Sequence, residues 1–449
     1  MKRPILSATL CLLAAVASVD AAIVVPGANG TDGALYITQD TVIDLSRAAT
    51  GSWDQDNTAN AGNGVYDADK WAVVFKYTSV NVLGGKKLTF KNHATRAPVV
   101  WLVSGNVTIS GTVDLSGGSA DNFSLLFHPI TQPLNGQLLE PGPGGFRGGA
   151  GWRGGNVLNG AGFGPGGGLN DRDYGSGLLG AAAGYGVRGG DHGNIGGSGG
   201  NAYGNPSLVP LIGGSGGAGA WWDGYGFLGG SGGGAILIAS NGKLTCNSGG
   251  SLIALGGNGW VNNRSGPGSG GGVRVVCNEL TGDGNISAAG GGGSSAGSFG
   301  RIRIERVVNN ANFTVTPAPS TVDLADGSTA MLWPPAGAPE ARVIAVNEVA
   351  APADPKAAFG ASTPDVALPL VSSVNVIVET LHVEKASKVV VRVTPRNGMT
   401  VLGENRTTAI EVNATIKEVV SEDPLKLRWQ ATLPTLPGHS AIQARVVRP

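Results

Sequence analysis

Carboxylate, imidazole and guanidinium groups stand close together in this chain at three places: Asn170-Asp171-Arg172-Asp173, Asp191-His192-Gly193 and Arg301-Ile302-Arg303. Asp171 and Asp173 are two residues apart, so on an extended chain they share a face. Cleavage of a glycosidic bond with inversion needs two carboxyl groups about 6.5–9.5 Å apart, a span such a pair could meet. Any loop with two aspartates offers the same spacing, however, and strand alternation with Ile302 and Ile304 accounts for Arg301 and Arg303. No catalytic residue is assigned on this basis. A polysaccharide-degrading glycoside hydrolase or lyase stands as the alternative to a non-catalytic protein.

Metal and cofactor chemistry has less support. The five histidines, at 93, 128, 192, 382 and 439, are never at the spacing of paired ligands, and no calcium-binding nonapeptide repeat follows the glycine pairs. The GSGGGA-type strings are followed by a strand-like run, not by Lys-Ser or Lys-Thr and a helix, so they do not read as phosphate loops. No metal and no cofactor is expected.

Aromatic side chains in the glycine-rich stretch are the most suggestive feature. Trp152, Tyr174, Tyr185, Trp221, Trp222 and Tyr225, with Phe163, Tyr203 and Phe227, stand among residues without bulk. Rings on such a scaffold can stack on sugar faces and leave their polar edges to hydroxyls. The plainer reading is that they pin glycine loops to the body by the apolar burial they bring. The first six are the candidate ligand-binding residues. Trp221 and Trp222 are adjacent, so in an extended chain they point to opposite sides, and one can pin while the other faces out.

The elements that must position these rings come from a repeat. GGGAILIAS (232–240) and NGKLTCNSGGSLIALGGNG (241–259) are followed by GGGVRVVC (270–277) and NELTGDGNISAAGGGG (278–293), then by FGRIRIE (299–305). A period of roughly 25 to 40 residues with nothing helical inside it predicts a glycine-rich parallel β-solenoid, each coil burying its apolar face against its neighbours. Ile236, Ile238, Val273, Val275, Ile302 and Ile304 should then be buried neighbours in successive strands. PVVWLVSGNVTISGTVDLSGG (98–118) fits the same repeat, with Val113 and Leu115 level with Leu252 and Ala254, then Ile286 and Ala288. Residues 23–335 form this body, with a cap over 23–70 and a long glycine-rich insertion over 119–231.

Within the insertion, glycine falls on every third residue at 142, 145, 148, 151 and 154 and again at 190, 193, 196 and 199. Irregular glycine loops held by aromatics are the expectation; extended three-fold helices packed at glycine are the alternative. From Trp333 to Pro339 the chain reads as a linker. Beyond it valine-rich runs at 374–384, 388–394, 407–416, 425–433 and 441–447 predict an immunoglobulin-like β-sandwich over 340–449. Leu425, Leu427, Trp429, Ala431 and Leu433 should share its inner face.

Residues 1–22 carry Lys2 and Arg3, an apolar run and a small-residue site at Ala21-Ala22, the pattern of a secretory signal peptide. No later stretch is long and apolar enough to span a membrane. Acidic and basic residues balance at 31 each, which removes the electrostatic footprint of a nucleic-acid binder. Cys246 and Cys277 remain after the leader; repeat alignment sets Cys277 level with Ala239 and Cys246 level with Gly282, so two buried thiols are favoured over a bridge.

Taken together, GVYDADKWAVVFKY (64–77), NHATRAPVVWLVSGNVTISGTVDLSGG (92–118), GFGPGGG (162–168), PLIGGSGG (210–217), GGSGGGAILIAS (229–240) and GRIRIE (300–305) resemble a group of exported glycine-rich surface proteins of environmental bacteria. The resemblance implies a β-helical glycine-rich body followed by a β-sandwich, and carries over no active site. The expectation is an exported, all-β, non-catalytic structural or adhesive protein. It would lie outside the cell or at its surface, or in the periplasm, with polysaccharide or extracellular matrix as the candidate partner.

Overall fold

The computed structural model describes residues 22–120, 139–151, 160–172, 177–192, 197–222, 225–260, 264–293, 295–356, 364–369, 371, 373–395, 409–434 and 438–449, without the side chains of 171, 172, 177, 178, 221, 222 and 225. The leader expected over residues 1–22 falls outside them except for Ala22. Among them there is no α-helix, and none long and apolar enough to cross a membrane. The protein is all-β, with parallel sheets and one curled antiparallel sheet.

Two parallel sheets face each other over a shared apolar core. The larger runs through Ala72–Val82, Val99–Val103, Ala235–Cys246, Gly272–Gly282 and Arg301–Ala311, and ends at Ser320–Asp323. The smaller stacks Thr41–Asp44, Lys87–Lys91, Thr112–Asp114, Ser251–Ile253, Asn285–Ser287 and Thr314–Thr316. Register is set by the inward positions: Val73, Val99, Ile236, Val273 and Ile302 form one ladder, and Phe75, Trp101, Ile238, Val275 and Ile304 the next. A slip of one residue would turn every such side chain out of the core. Leu88, Val113, Leu252, Ile286 and Val315 form the facing ladder. The expected stack is therefore present, and Val99–Val103 pairs directly with Ala235–Cys246 across the insertion. Cys246 lies opposite Gly282 as aligned, but Cys277 lies opposite Ser240 rather than Ala239, because Ala235 pairs with Gly272 and not with Val273. Both thiols are free and buried.

Part of the outer face of the larger sheet is apolar too. Val74, Val100, Leu237 and Val276 are covered by Ile23 and Val25 and by Ala330 and Leu332. Val24 pairs with Thr329 to hold this cover, and Trp333, read as the start of a linker, packs edge-on to Trp53 at 5.4 Å. Runs such as VVWLV are buried at every position for this reason, not on alternate ones.

The insertion departs from expectation, because its described part is regular. Along residues 229–234, the amides of Gly229 and Gly232 donate to Gly149 and Phe146, and those of Gly230 and Gly233 to Gly266 and Ser269. The amides of Ser231 and Gly234 donate to Gly118 and Leu115. Three neighbours served in rotation is the pattern of an extended helix with three residues per turn. Glycine is required where such helices touch: a Cβ on Gly145 would stand 2.7 Å from the Gly233 carbonyl oxygen, and one on Gly148 would run into that of Gly229. Serine replaces glycine where its hydroxyl can bond backbone, as at Ser231, which accepts from the Gly148 amide at 3.1 Å and donates to the Leu139 carbonyl at 2.7 Å.

Residues 340–449 contain the antiparallel sheet, in the order Val349–Ala350, Glu340–Val346, Ser373–Leu381, Leu425–Pro434, Ile410–Glu422, Lys388–Pro395, Ser440–Val447. It curls because Ile410–Glu422 pairs with Lys388–Pro395 through its first half and with Leu425–Pro434 through its second. Leu427, Trp429, Ala431 and Leu433 line its core as expected, and the strand Glu340–Val346 was not foreseen. Arg392 ties this sheet to the glycine bundle: its Nη2 donates to the carbonyls of Gly162 and Gly167, at 3.4 and 3.1 Å, in the GFGPGGG turn.

Candidate functional site

Of the candidate rings, only that of Tyr185 is described. Trp152 and Tyr174 lie outside the described residues. Trp221, Trp222 and Tyr225 belong to a small antiparallel sheet within the insertion, formed by Asn170–Arg172, Gly177–Gly180, Ala220–Trp222 and Tyr225–Phe227. Trp222 pairs with Tyr225, and Trp221 with Gly226 on one side and Leu178 on the other. The two tryptophans are thus consecutive residues of a strand, and the expectation that one pins while the other faces out concerns side chains outside what is described.

Tyr185 is corrected from ligand contact to packing. Its side chain is fully buried, stacked on Tyr203 at 4.5 Å between centroids, and its hydroxyl donates to the Ile212 carbonyl at 2.8 Å. Arg301 lies over the Tyr185 ring, 5.6 Å from its centroid, and donates to the Tyr203 carbonyl through Nε and Nη2. Burial raises both phenols above their ordinary range, so the pair stays neutral. Phe163 is buried as well. These rings supply the apolar area that glycine cannot, as the pinning reading required.

Sequence reasoning missed Trp260. It stacks on Phe227 with 5.3 Å between centroids and 29° between planes, and both rings are half-buried. The Trp260 amide donates to Ser265 Oγ at 2.7 Å. The pair sits at the end of the bundle that carries the small sheet, since Gly180 bonds Arg264 and a Cβ on Gly151 would meet Phe227. The signal was available: Trp260 follows GGNG just as the other rings stand among glycines, but it lies beyond the insertion.

Two described members of the polysaccharide-cleaving constellation, Asp191 and Arg301, are engaged with other groups. Asp191 is paired with Arg188, and Asp191 Oδ1 accepts from the Gly199 amide at 2.7 Å. The Arg188 bond holds its pKa below the carboxylate range, which suits no general acid. Arg301 is committed to Tyr203, as above. Asp173 and the Asp171 side chain lie outside what is described. Among the described residues no three His, Cys, Asp or Glu side chains gather as a bound metal ion would require.

Comparison with protein-family models, with curated proteins and with solved structures finds no match to this chain.

Proposed function

We propose that this is an exported, non-catalytic structural or adhesive surface protein. Its parallel body is a β-solenoid, its residues 340–449 an immunoglobulin-like sandwich, and its glycine bundle a stiff support for polysaccharide-contacting aromatics. The observation that carries the reading is the half-buried Phe227–Trp260 stack, at the end of a bundle whose interior is packed backbone against backbone. A bundle closed to side chains is closed to ligands as well, so its contacts with a partner fall to its surface and ends. Rings held half in, half out are the chemistry that stacks on a pyranose face. In the enzyme alternative, Asp191 and Arg301 would have to leave their present partners.

The test is a glycan array and reducing-sugar release on the purified mature chain, with Trp260→Ala, Trp221→Ala and Trp222→Ala. Adhesion expects loss of glycan binding in Trp260→Ala and in one of the other two, with melting temperature retained, and no sugar release. Loss of stability in all three, with any glycan binding unchanged in the folded fraction, would leave a purely structural protein. Sugar release would overturn the reading.

A further inference from the structure

A cleft of about 740 Å³ lies between the parallel body and the curled sheet. Trp71, Phe146 and Phe163 form one wall with Arg96 and Arg147, and the facing wall is largely aliphatic, with Leu368 and Ile442 among its side chains. The volume is within the range of small-molecule sites, which favour such junctions.

Two further observations single it out. Trp71 and Arg96 hold left-handed backbone angles, φ +47° and +55°, where a residue with a side chain is strained. Such strain persists only where the surroundings impose it, and it clusters at ligand clamps. Trp71 spends its indole N–H on the Thr95 carbonyl at 3.2 Å, so it offers the cleft its ring alone.

The second observation is charge. Arg96 bonds both oxygens of Glu140, at 3.2 and 3.1 Å, and Arg147 bonds the same carboxylate. Burial alone would raise the Glu140 pKa, but the two guanidiniums hold it below its ordinary 4.5. At neutral pH the three groups therefore carry one positive charge in excess. Asp365, on the facing side, is exposed and accepts from the Lys356 amide.

We propose that the cleft binds a single-chain amphipathic anion, its apolar body between Trp71 and Leu368 and its carboxylate toward Arg96 and Arg147. A sugar fits less well, because aliphatic walls leave its hydroxyls without partners. This site is separate from the aromatic stack proposed for adhesion, and neither depends on the other.

Calorimetric titration of the full mature chain with dodecanoate and with dodecanol tests it, alongside sedimentation with vesicles of phosphatidylglycerol. Dodecanoate should bind one to one, about tenfold or more tighter than dodecanol, as a charge-assisted bond implies. Arg147→Gln should bring the two ligands level while dodecanol binding stays. Ala367→Trp, which fills the cleft from an exposed position of its lining, should abolish both with circular dichroism unchanged. Absence of saturable dodecanoate binding, equal affinities in the parent protein, binding that survives Ala367→Trp, or capture by vesicles alone would each overturn the proposal.

Discussion

Replacing Gly213 with alanine tests the claim that the glycine bundle is packed backbone to backbone. A Cβ there would stand 2.7 Å from the carbonyl oxygens of both Gly144 and Gly233, so two backbone segments would have to give way at once. Ordinary contact needs each oxygen to retreat by roughly half an ångström or more, an overpacking that costs about 1–3 kcal/mol. The same movement strains the Gly213 to Gly144 and Gly214 to Gly233 amide bonds, 2.9 and 2.8 Å long, each worth about 1 kcal/mol net. The expected loss is about 2–4 kcal/mol. Gly292 is the control: it is exposed, its φ is not positive, and the nearest atom to an added Cβ is Asn258 Oδ1 at 3.8 Å. Gly292→Ala should be neutral or slightly stabilising, since alanine restricts the unfolded chain. Denaturant melts of both variants supply the comparison, and amide exchange shows whether the loss is local to the bundle. If Gly213→Ala lies within about 0.5 kcal/mol of Gly292→Ala, the glycines are not there for close approach and the reasoning fails.

Val275→Asp should destabilise the body by more than about 3 kcal/mol, because it buries a charge between Ile238 and Ile304 with no partner; an unchanged melting temperature would refute the register. Burial pushes the Cys246 thiol up to about 11 and the Cys277 thiol to about 12, so native protein at about pH 8 should react with a disulfide reagent no faster than it unfolds. Both folded values exceed the ordinary 9.0, so this contribution to stability is complete below pH 9 and is lost as pH rises through 11 to 12. Two thiols labelled at once in the native state would contradict the burial.

Much of the parallel body was legible in the sequence, because a coil that repeats must place equivalent residues on equivalent stations. Ile236, Val273 and Ile302 could be stacked on paper before any coordinate, and so could Leu252 and Ile286. The sharing of one face by Leu427, Trp429, Ala431 and Leu433 was readable too, since alternation is local. What covers the outer face of the larger sheet was not. Ile23 and Leu332 are remote in sequence, and a buried outward residue looks the same as a buried inward one until its partner is known. The glycine bundle marks the limit most clearly. Its three-residue period was visible at 142, 145, 148 and 151, but glycine carries no side chain to say whether a neighbour is there. The alternating partners of residues 229–234 are contacts between segments that composition does not connect. For the same reason the rings that stand among glycines could be seen in the sequence but not sorted. Tyr185 and Trp260 both stand among glycines in sequence, and only the packing of distant segments buries one and leaves the other half open.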